Sequence, residues 1–206
     1  MNDLRQEQQR PQSLPMERGY SEEEWNIRID KKLFALWDEY LDKDADIQWL
    51  RDPRIATIVR DNLYYHAGKK YCLWAYVIMP NHVHVMLQPD EAWEKQFETA
   101  GNGITCCQPA KNRRSRYEKG PLSSILHSLR SYTANQANKV LNRTGAFWRS
   151  EVYDHWVRDN HEFQRIIYYI ENNPVKAGLA IQPEDWRFSS AYDRAQNGLE
   201  PFAKLA

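Results

Sequence analysis

Apolar residues recur at helical spacing in several stretches of the chain. One stretch begins at Ser21, and Glu24 three residues later completes a capping-box pattern that is typical of a helix start. A second has a proline near its start and runs from Arg51 towards His66. In the stretch that begins at Ser21, the residues at helical spacing are Trp25, Ile29, Leu33, Leu36 and Tyr40. A third, over about residues 122–141, is predicted to bury Leu122, Ile125, Leu126, Leu129, Thr133, Gln136 and Val140.

A fourth helix is predicted over residues 160–172. Asp159 and Glu162 supply a capping pair at its start. Its apolar positions follow the i, i+3, i+4, i+7 pattern of a buried stripe, at Phe163, Ile166, Ile167 and Ile170. Asn173-Pro174 is expected to end it, because the residue before a proline disfavours the helical conformation.

Two segments near the middle of the chain have the pattern of strands. YCLWAYVIM over residues 71–79 and HVHVMLQ over residues 82–88 are rich in β-branched and aromatic residues. They form either one hairpin or one long strand kinked at Pro80. Two strands together with several helices indicate an α+β fold.

Three other regions complete the predicted organisation. Residues 1–20 are rich in Gln, Arg and Pro and indicate a disordered leader. Residues 21–206 are expected to form a single domain, with a long polar surface loop over about 90–120. The aromatic side chains of the C-terminal segment are expected to pack back onto that domain: Trp186, Phe188 and Tyr192.

Composition narrows the functional classes. The formal net charge is zero, which argues against the broad basic surface of a duplex-DNA binder. Residues 21–52 hold ten acidic and five basic side chains, whereas residues 111–149 hold nine basic side chains and one acidic, Glu118. The second segment predicts either a local anion-binding face or an ordinary solvated loop and helix.

The cysteines argue against two classes of site. The three cysteines include no CxxC pair, which argues against a disulfide framework and against a cysteine-based zinc site. No secretory signal pattern and no apolar run of roughly 20 residues is present, so a reducing cytoplasmic location away from the membrane is expected.

The first candidate for chemistry is the pair His82 and His84. Side chains at i and i+2 of a strand point to the same face, so the two imidazoles can hold a divalent ion at adjacent positions. Val83, Val85 and Leu87 then face the core. Two neutral ligands bind a metal weakly, so a third protein ligand is expected. The alternative is two unrelated polar positions on the outer face of a strand.

The second candidate is Tyr169 with Asn173. Positions i and i+4 lie roughly 40° apart on a helix, and both residues fall on one edge of the apolar stripe. An edge residue can contact a neighbouring sheet and still meet a substrate, whereas Tyr168 is expected to point into solvent. The alternative is a boundary packing residue followed by a polar residue at the helix end.

These motifs resemble a known family. MPNHVHVML at residues 79–87, followed about 80 residues later by YIENNPVKAGL from Tyr169, is similar to the REP-associated tyrosine transposases, a branch of the single-tyrosine HUH transposases (IS200-like). The intervening SILHSLRSYTANQANKVLNRTGAFWRSEVYDHWVRD fits the same family, so the resemblance covers about residues 49–192. It implies an antiparallel sheet with helices packed on one face and a catalytic helix close to the histidine-bearing strand.

The resemblance also implies roles for individual residues. It identifies His82, His84 and Asn173 as ligands of Mg²⁺ or Mn²⁺, and Tyr169 as a nucleophile that forms a 5′-phosphotyrosine. The implied partner is single-stranded or hairpin DNA, bound in the nucleoid by a monomer or a homodimer. The candidates for contacts to DNA phosphates or to an extruded base are Arg130, Lys139, Arg143, Trp148 and Arg149.

One departure from the family pattern leaves alternatives open. Members of the family usually begin with a strand similar to YFVTFRL, and residues 1–20 contain no such segment. The chain is therefore either a DNA-nicking and rejoining enzyme or a catalytically inactive hairpin-DNA-binding remnant of one. A metal-dependent hydrolase of a small substrate is a third possibility, and a purely structural protein ranks last because it leaves both motifs unexplained.

Overall fold

A computed structural model describes residues 47–99, 120–150 and 152–199, together with isolated positions between 19 and 41. The chain divides into two units, residues 1–46 with 151–156 and residues 47–150 with 157–206. In the first unit Trp25 N donates to Ser21 O at 2.9 Å, in agreement with a helix that starts at Ser21. The predicted leader, apart from Gly19, and the predicted apolar positions Leu33 and Tyr40 lie outside the described residues.

The second unit begins with helix α1, Pro53–His66. Asp52 caps it by accepting a hydrogen bond from Arg54 N at 2.9 Å, and Pro53 occupies the first turn, where a missing N–H leaves no helical bond unmade. One face of the helix is buried through Ile55, Ala56, Val59, Asn62 and Leu63. The predicted proline-started helix is therefore confirmed.

An antiparallel hairpin follows, made of β1, Tyr71–Ile78, and β2, Val83–Pro89. Met79 N donates to His82 O at 2.9 Å, so the chain reverses over Pro80 and Asn81. Of the two predicted alternatives the hairpin is correct, and the antiparallel α+β class is confirmed. Among the described residues the sheet has these two strands, and His82 lies immediately before β2.

A bulge in β1 decides which side chains face which side. The register shifts between Leu73 and Ala75, so Trp74 is not paired in the register with any residue of β2. Leu73, Tyr76 and Ile78 consequently pack into one apolar cluster with α1, whereas Ala75 and Val77 pack into a second cluster on the opposite face. Val83, Val85 and Leu87 of β2 pack against the first cluster, as predicted.

The first cluster is completed by helix α3, Pro121–Val140. Its buried positions recur every four residues, at Ile125, Leu129, Thr133 and Ala137. Val140, predicted to be buried, is 36% exposed, because the stripe drifts around the helix and reaches Ala137 instead.

The predicted polar loop over residues 90–120 begins instead with helix α2, Glu91–Thr99. Asp90 starts this helix, because its carboxylate accepts from Trp93 N at 3.0 Å and Glu91 and Glu94 lie in the favourable first turn. Residues 100–119 lie outside the described residues.

Helix α4, Asn160–Lys176, packs against the other face of the hairpin through Ile167 and Ile170. Helices therefore cover both faces of the sheet, whereas the sequence predicted them on one face. The predicted cap is present, since Asp159 accepts from Glu162 N at 2.7 Å. The predicted end at Asn173-Pro174 is wrong, because the helix continues to Lys176.

Pro174 is accommodated because a proline removes a single N–H donor, and the helix ends only where Gly178 adopts a positive φ of 69°. Ala177 N still donates to Asn173 O at 2.9 Å. Asn173 therefore stays within a regular helix, on the same face as Tyr169.

The C-terminal segment covers the outer edge of β1. A short 3₁₀ turn, Pro183–Asp185, precedes helix α5, Ser190–Gln196. Between them Phe188 O accepts from Ile78 N at 2.9 Å, and Trp186 Nε1 donates to Ile78 O at 3.0 Å. Trp186 and Phe188 pack back onto the second unit, as predicted. No helix among the described residues is long and apolar enough to cross a membrane.

Candidate functional site

The two histidines of the hairpin are direct neighbours. Their ring centroids lie 4.8 Å apart with the ring planes at 82°, although His82 lies in the turn and His84 in β2. The Nε2 atoms of both rings are buried, and His82 as a whole is 7% exposed. The hairpin thus brings two imidazole nitrogens to one region beneath the protein surface.

Asn81 fixes the orientation of the first ring. His82 Nδ1 lies 2.8 Å from Asn81 Oδ1. An amide oxygen can only accept a hydrogen bond, so Nδ1 carries the proton and Nε2 keeps its lone pair. A metal-binding histidine needs this tautomer, and a hydrogen bond at the other nitrogen is the usual way to select it.

Tyr169 contacts the second histidine from the facing helix. The centroids of Tyr169 and His84 are 5.6 Å apart with the ring planes at 79°. The packing of α4 on both strands causes this approach, since Ile167 and Ile170 are buried against Val77 and Met86. Tyr168 is half-buried rather than directed fully into solvent as expected, and its carbonyl accepts from Asn172 Nδ2 at 2.9 Å.

Asn173 completes the group from one turn further along α4. Its Nδ2 donates to Tyr169 Oη at 3.3 Å, as the i, i+4 spacing allows. Its Oδ1 is buried and has no hydrogen-bond partner among the described residues, and the residue is 1% exposed. Such an atom is costly in a folded protein unless a ligand satisfies it.

The donor set fits a hard or borderline divalent ion. Within the described part of the chain no three His, Cys, Asp or Glu side chains are placed to hold a metal, so a site at the two histidines would draw its third ligand from another side chain, and Asn173 Oδ1 is the candidate. Two imidazole nitrogens and one amide oxygen suit Mg²⁺ or Mn²⁺ better than a structural zinc site, which favours cysteine and histidine.

A cation lies beside the tyrosine. Lys176 Nζ is 5.8 Å from the centroid of the Tyr169 ring, two turns along the same face of α4. The sequence prediction did not include this residue. Its i+7 spacing from Tyr169 was the signal that could have found it, once α4 was known to extend beyond Pro174.

Two of the predicted DNA contacts have partners inside the protein. Arg143 Nη1 donates to Asn138 Oδ1 at 2.8 Å, and its guanidinium carbon lies 3.9 Å from the centroid of the Trp49 ring. Trp148 Nε1 donates to Thr133 Oγ1 at 2.9 Å, and its ring packs against the first apolar cluster. Both side chains contribute to the packing between α3 and the segment after it.

The other three predicted DNA contacts are more accessible. Lys139 and Arg149 are exposed, and the half-buried Arg130 donates to the carbonyl of Arg149. No acidic residue occurs between Pro121 and Ser150.

Sequence comparisons relate the chain to transposases. No family model matches it. It is 33% identical over 54 residues to the REP-associated tyrosine transposase of Escherichia coli K12, which covers 26% of the chain and 33% of that protein. It is 26% identical over 125 residues to a Haemophilus influenzae protein that carries the same name provisionally, covering 56% of each. The matches thus span between a third and just over half of these relatives.

The solved structures supply a match over more of the chain. A REP-associated tyrosine transposase whose structure was determined bound to a REP hairpin superimposes with a TM-score of 0.51, over 80% of each chain at 18% identity. The chain has the fold of a REP-associated tyrosine transposase. The resemblance inferred from the two sequence motifs is thereby confirmed at the level of the fold.

Within this transposase fold, sequence reasoning missed two further residues. Asn81 directly precedes His82 and accepts a hydrogen bond from its Nδ1. Histidines that bind metals usually donate their other ring N–H to a neighbouring acceptor, and this tendency could have identified Asn81 from the sequence. Glu171 lies between Tyr169 and Asn173 and is 3% exposed. A glutamate next to an apolar stripe is usually solvated, so its burial could be found only from the structure.

Proposed function

We propose that the chain nicks and rejoins single-stranded DNA at hairpins, with Tyr169 as the nucleophile. The contiguous group of His82, His84, Tyr169 and Asn173 carries this proposal, through the ring distances of 4.8 and 5.6 Å and the 3.3 Å hydrogen bond. Similarity to the REP-associated tyrosine transposases supports the choice of DNA hairpins as substrate.

In the proposed reaction, Tyr169 Oη attacks the phosphorus of the scissile phosphodiester. A bond from Oη to phosphorus forms and the bond from phosphorus to the 3′ oxygen breaks, while the phenol loses one proton and the leaving 3′ oxygen gains one. The products are a 5′-phosphotyrosine and a 3′-hydroxyl, so the energy of the phosphodiester is retained for rejoining. The reverse attack by a 3′-hydroxyl restores the strand and frees the tyrosine.

The surrounding side chains prepare this attack. The Asn173 amide donates to Oη and holds it in place, and the ammonium group of Lys176 favours negative charge on the phenol oxygen and on the approaching phosphate. His82 Nε2, His84 Nε2 and Asn173 Oδ1 would hold a Mg²⁺ or Mn²⁺ ion, and that ion would polarise a non-bridging phosphate oxygen.

The shape of the site favours single strands. Tyr169 lies at the junction of a hairpin and a packed helix, where the body of a regular duplex has little room. A single strand or the foot of a DNA hairpin presents a phosphate without that bulk. The exposed Lys139 and Arg149 supply contacts to the DNA backbone that do not depend on base sequence.

The test is formation of a covalent adduct. The protein is incubated with Mn²⁺ or Mg²⁺ and 5′- or 3′-labelled single strands that carry a REP hairpin, the DNA bound in the similar solved structure. The proposal predicts a denaturant-resistant adduct that retains only the 3′ label, because the protein stays attached to the 5′ end of the downstream piece. Chelator and Tyr169→Phe should abolish it.

Tyr168→Phe is the matched control, since it removes the same hydroxyl from the adjacent position and should leave the adduct intact. Hairpin binding without an adduct under either metal would instead identify an inactive DNA-binding protein. Metal-dependent hydrolysis that survives Tyr169→Phe would identify a hydrolase.

A further inference from the structure

We propose that Glu171 is a positioning residue that sets the distance of Tyr169 and Asn173 from the two histidines. This inference rests on the proposed function. At 100° per residue, Glu171 points roughly 160° away from both Tyr169 and Asn173. It therefore lies on the rear of α4, opposite the candidate site.

Glu171 links α4 to α5 through two strong contacts. Ser190 Oγ donates to Glu171 Oε1 at 2.6 Å, and the guanidinium of Arg194 pairs with Glu171 Oε2. The pair is enclosed, with side-chain exposures of 4% for Glu171 and 15% for Arg194. A buried ion pair contributes little net stability, so its value lies in holding its partners in one arrangement.

Ser190 extends the link to the hairpin. The same Oγ accepts from Tyr76 N at 3.1 Å, at the edge of β1 that faces away from β2. Val77, the next residue of β1, pairs directly with His84. One hydroxyl thus connects the backbone beside the histidine strand to the carboxylate between Tyr169 and Asn173.

A second group reinforces the position of α5. Asp193 accepts from Tyr64 Oη at 2.7 Å and from Tyr76 Oη, which joins α5 to α1 and to β1. Because α5 is held from both sides, it gives Glu171 a fixed anchor. Loss of the anchor lets α4 shift against the hairpin, and a displacement near 1 Å is enough to slow a reaction on the order of 100-fold.

The experiment compares Glu171→Gln with Glu162→Gln. Glu162 is a matched control because it lies on the same helix, is 6% exposed and pairs with Arg158 and Arg165, yet is more than one turn before Tyr169. Ser190→Ala tests the same link without touching the charge, and Ser190→Thr restores the hydroxyl. Thermal unfolding identifies the folded fraction of each variant.

Two quantities are measured for each variant. The first is the single-turnover rate of adduct formation at saturating DNA and Mn²⁺, together with the hairpin Kd. The second is Mn²⁺ affinity without DNA, from the electron paramagnetic resonance signal of the free ion. We expect Glu171→Gln and Ser190→Ala to lower the rate on the order of 100-fold and to weaken Mn²⁺ binding at least about tenfold. The hairpin Kd of every variant should stay within about twofold of the wild type. The rate and the Mn²⁺ affinity of Glu162→Gln and Ser190→Thr should also stay within about twofold of the wild type.

The outcomes separate this inference from the proposed function. Wild-type rate and Mn²⁺ affinity in folded Glu171→Gln and Ser190→Ala overturn the positioning role and leave the nuclease proposal intact. An inactive wild type whose Mn²⁺ affinity still depends on Glu171 supports the positioning role and overturns cleavage. If Glu162→Gln lowers the rate and the Mn²⁺ affinity as much as Glu171→Gln does, Glu171 contributes only to general stability and the inference is overturned. A wild type that neither forms an adduct nor binds Mn²⁺ also overturns it.

Discussion

The front and the rear of α4 differ in how their buried polar atoms are bonded. On the front, Asn173 Oδ1 has no partner among the described residues and Asn173 Nδ2 makes one long bond of 3.3 Å to Tyr169. On the rear, Glu171 has a 2.6 Å hydrogen bond from Ser190 and an ion pair with Arg194. The two sets of side chains alternate along five residues of one helix.

This difference indicates that the two sides of α4 have different roles. On the rear both oxygens of the Glu171 carboxylate are bonded, so the carboxylate can be buried without a ligand and can hold α4 against α5. The incompletely bonded front costs stability and is retained where a ligand completes the bonding. The front should therefore respond to mutation in binding and catalysis, and the rear in stability and geometry.

The largest effect is expected for Arg194→Ala on the rear. Removing Arg194 leaves the Glu171 carboxylate buried without a compensating charge, so the free energy of unfolding should fall by about 3–5 kcal/mol. Urea unfolding measures it, and adding Glu171→Gln should recover part of the loss. A fall below about 1 kcal/mol, the range of an exposed pair, would contradict a buried ion pair between Glu171 and Arg194.

Asn173→Ala on the front should give the opposite pattern. It removes a buried amide whose oxygen is unsatisfied, so the thermal midpoint should be unchanged or higher. Mn²⁺ affinity should fall about 100-fold or more, because a ligand is lost rather than a supporting residue. Calorimetric titration and thermal unfolding of the same preparation measure both. A lower midpoint with unchanged Mn²⁺ affinity would remove the contrast between the two sides.

The extent of the network behind α4 can be tested at alkaline pH. Burial, followed by the hydrogen bond to Asp193, raises the pKa of Tyr64 to about 12. The same causes raise the pKa of Tyr76. A tyrosine whose pKa is raised by folding stabilises the folded state at pH values below the pKa of the unfolded chain, which is near 10. This stabilisation is lost as the pH rises through the pKa in the folded state.

The free energy of unfolding should therefore be steady up to about pH 10 and fall between about pH 10 and 12. Tyr64→Phe should make this fall shallower. Urea unfolding at each pH measures the stability, and absorbance at 295 nm reports tyrosine ionisation. An identical fall in the unfolding free energy of Tyr64→Phe would mean that Tyr64 is not part of the network behind α4 that includes Asp193.

The same contrast separates the candidate DNA contacts, with the smallest expected effect. Exposed Lys139 should act on binding, so Lys139→Ala should weaken hairpin affinity about two- to fivefold and reduce the salt slope by about 1. Arg143 is bonded to Asn138 and lies over Trp49, so Arg143→Ala should lower the thermal midpoint instead. Fluorescence anisotropy at several salt concentrations measures the first, and the reverse pattern would show that these assignments are exchanged.

Local sequence patterns predicted much of this fold. Pro53 and Asp159 mark helix starts because their effects act within one turn, and the two strands follow from their residue types. The sequence did not predict that α4 continues through Pro174. The tendency of the residue before a proline to leave the helical conformation is weaker than the packing of the whole helix. The bulge at Trp74 depends on filling both apolar clusters, which no local pattern contains.

The candidate site was predictable in its halves. Spacing brings His82 close to His84 and Tyr169 close to Asn173, because each pair lies on one element. The meeting of the two halves depends on the packing of α4 against the hairpin. The rear network was out of reach, since Ser190 contacts Glu171 across 19 residues and Tyr76 across 114.

Tyr169, on the front of α4, is the proposed nucleophile. The most direct measurement is to isolate the covalent protein–DNA adduct, digest it with nuclease and trypsin, and locate the modified residue by fragmentation mass spectrometry. Cleavage after Arg165 and Lys176 yields one peptide that contains both Tyr168 and Tyr169. We expect a nucleotidyl phosphate on Tyr169 alone. A phosphate on Tyr168, or on any residue outside this peptide, would contradict it.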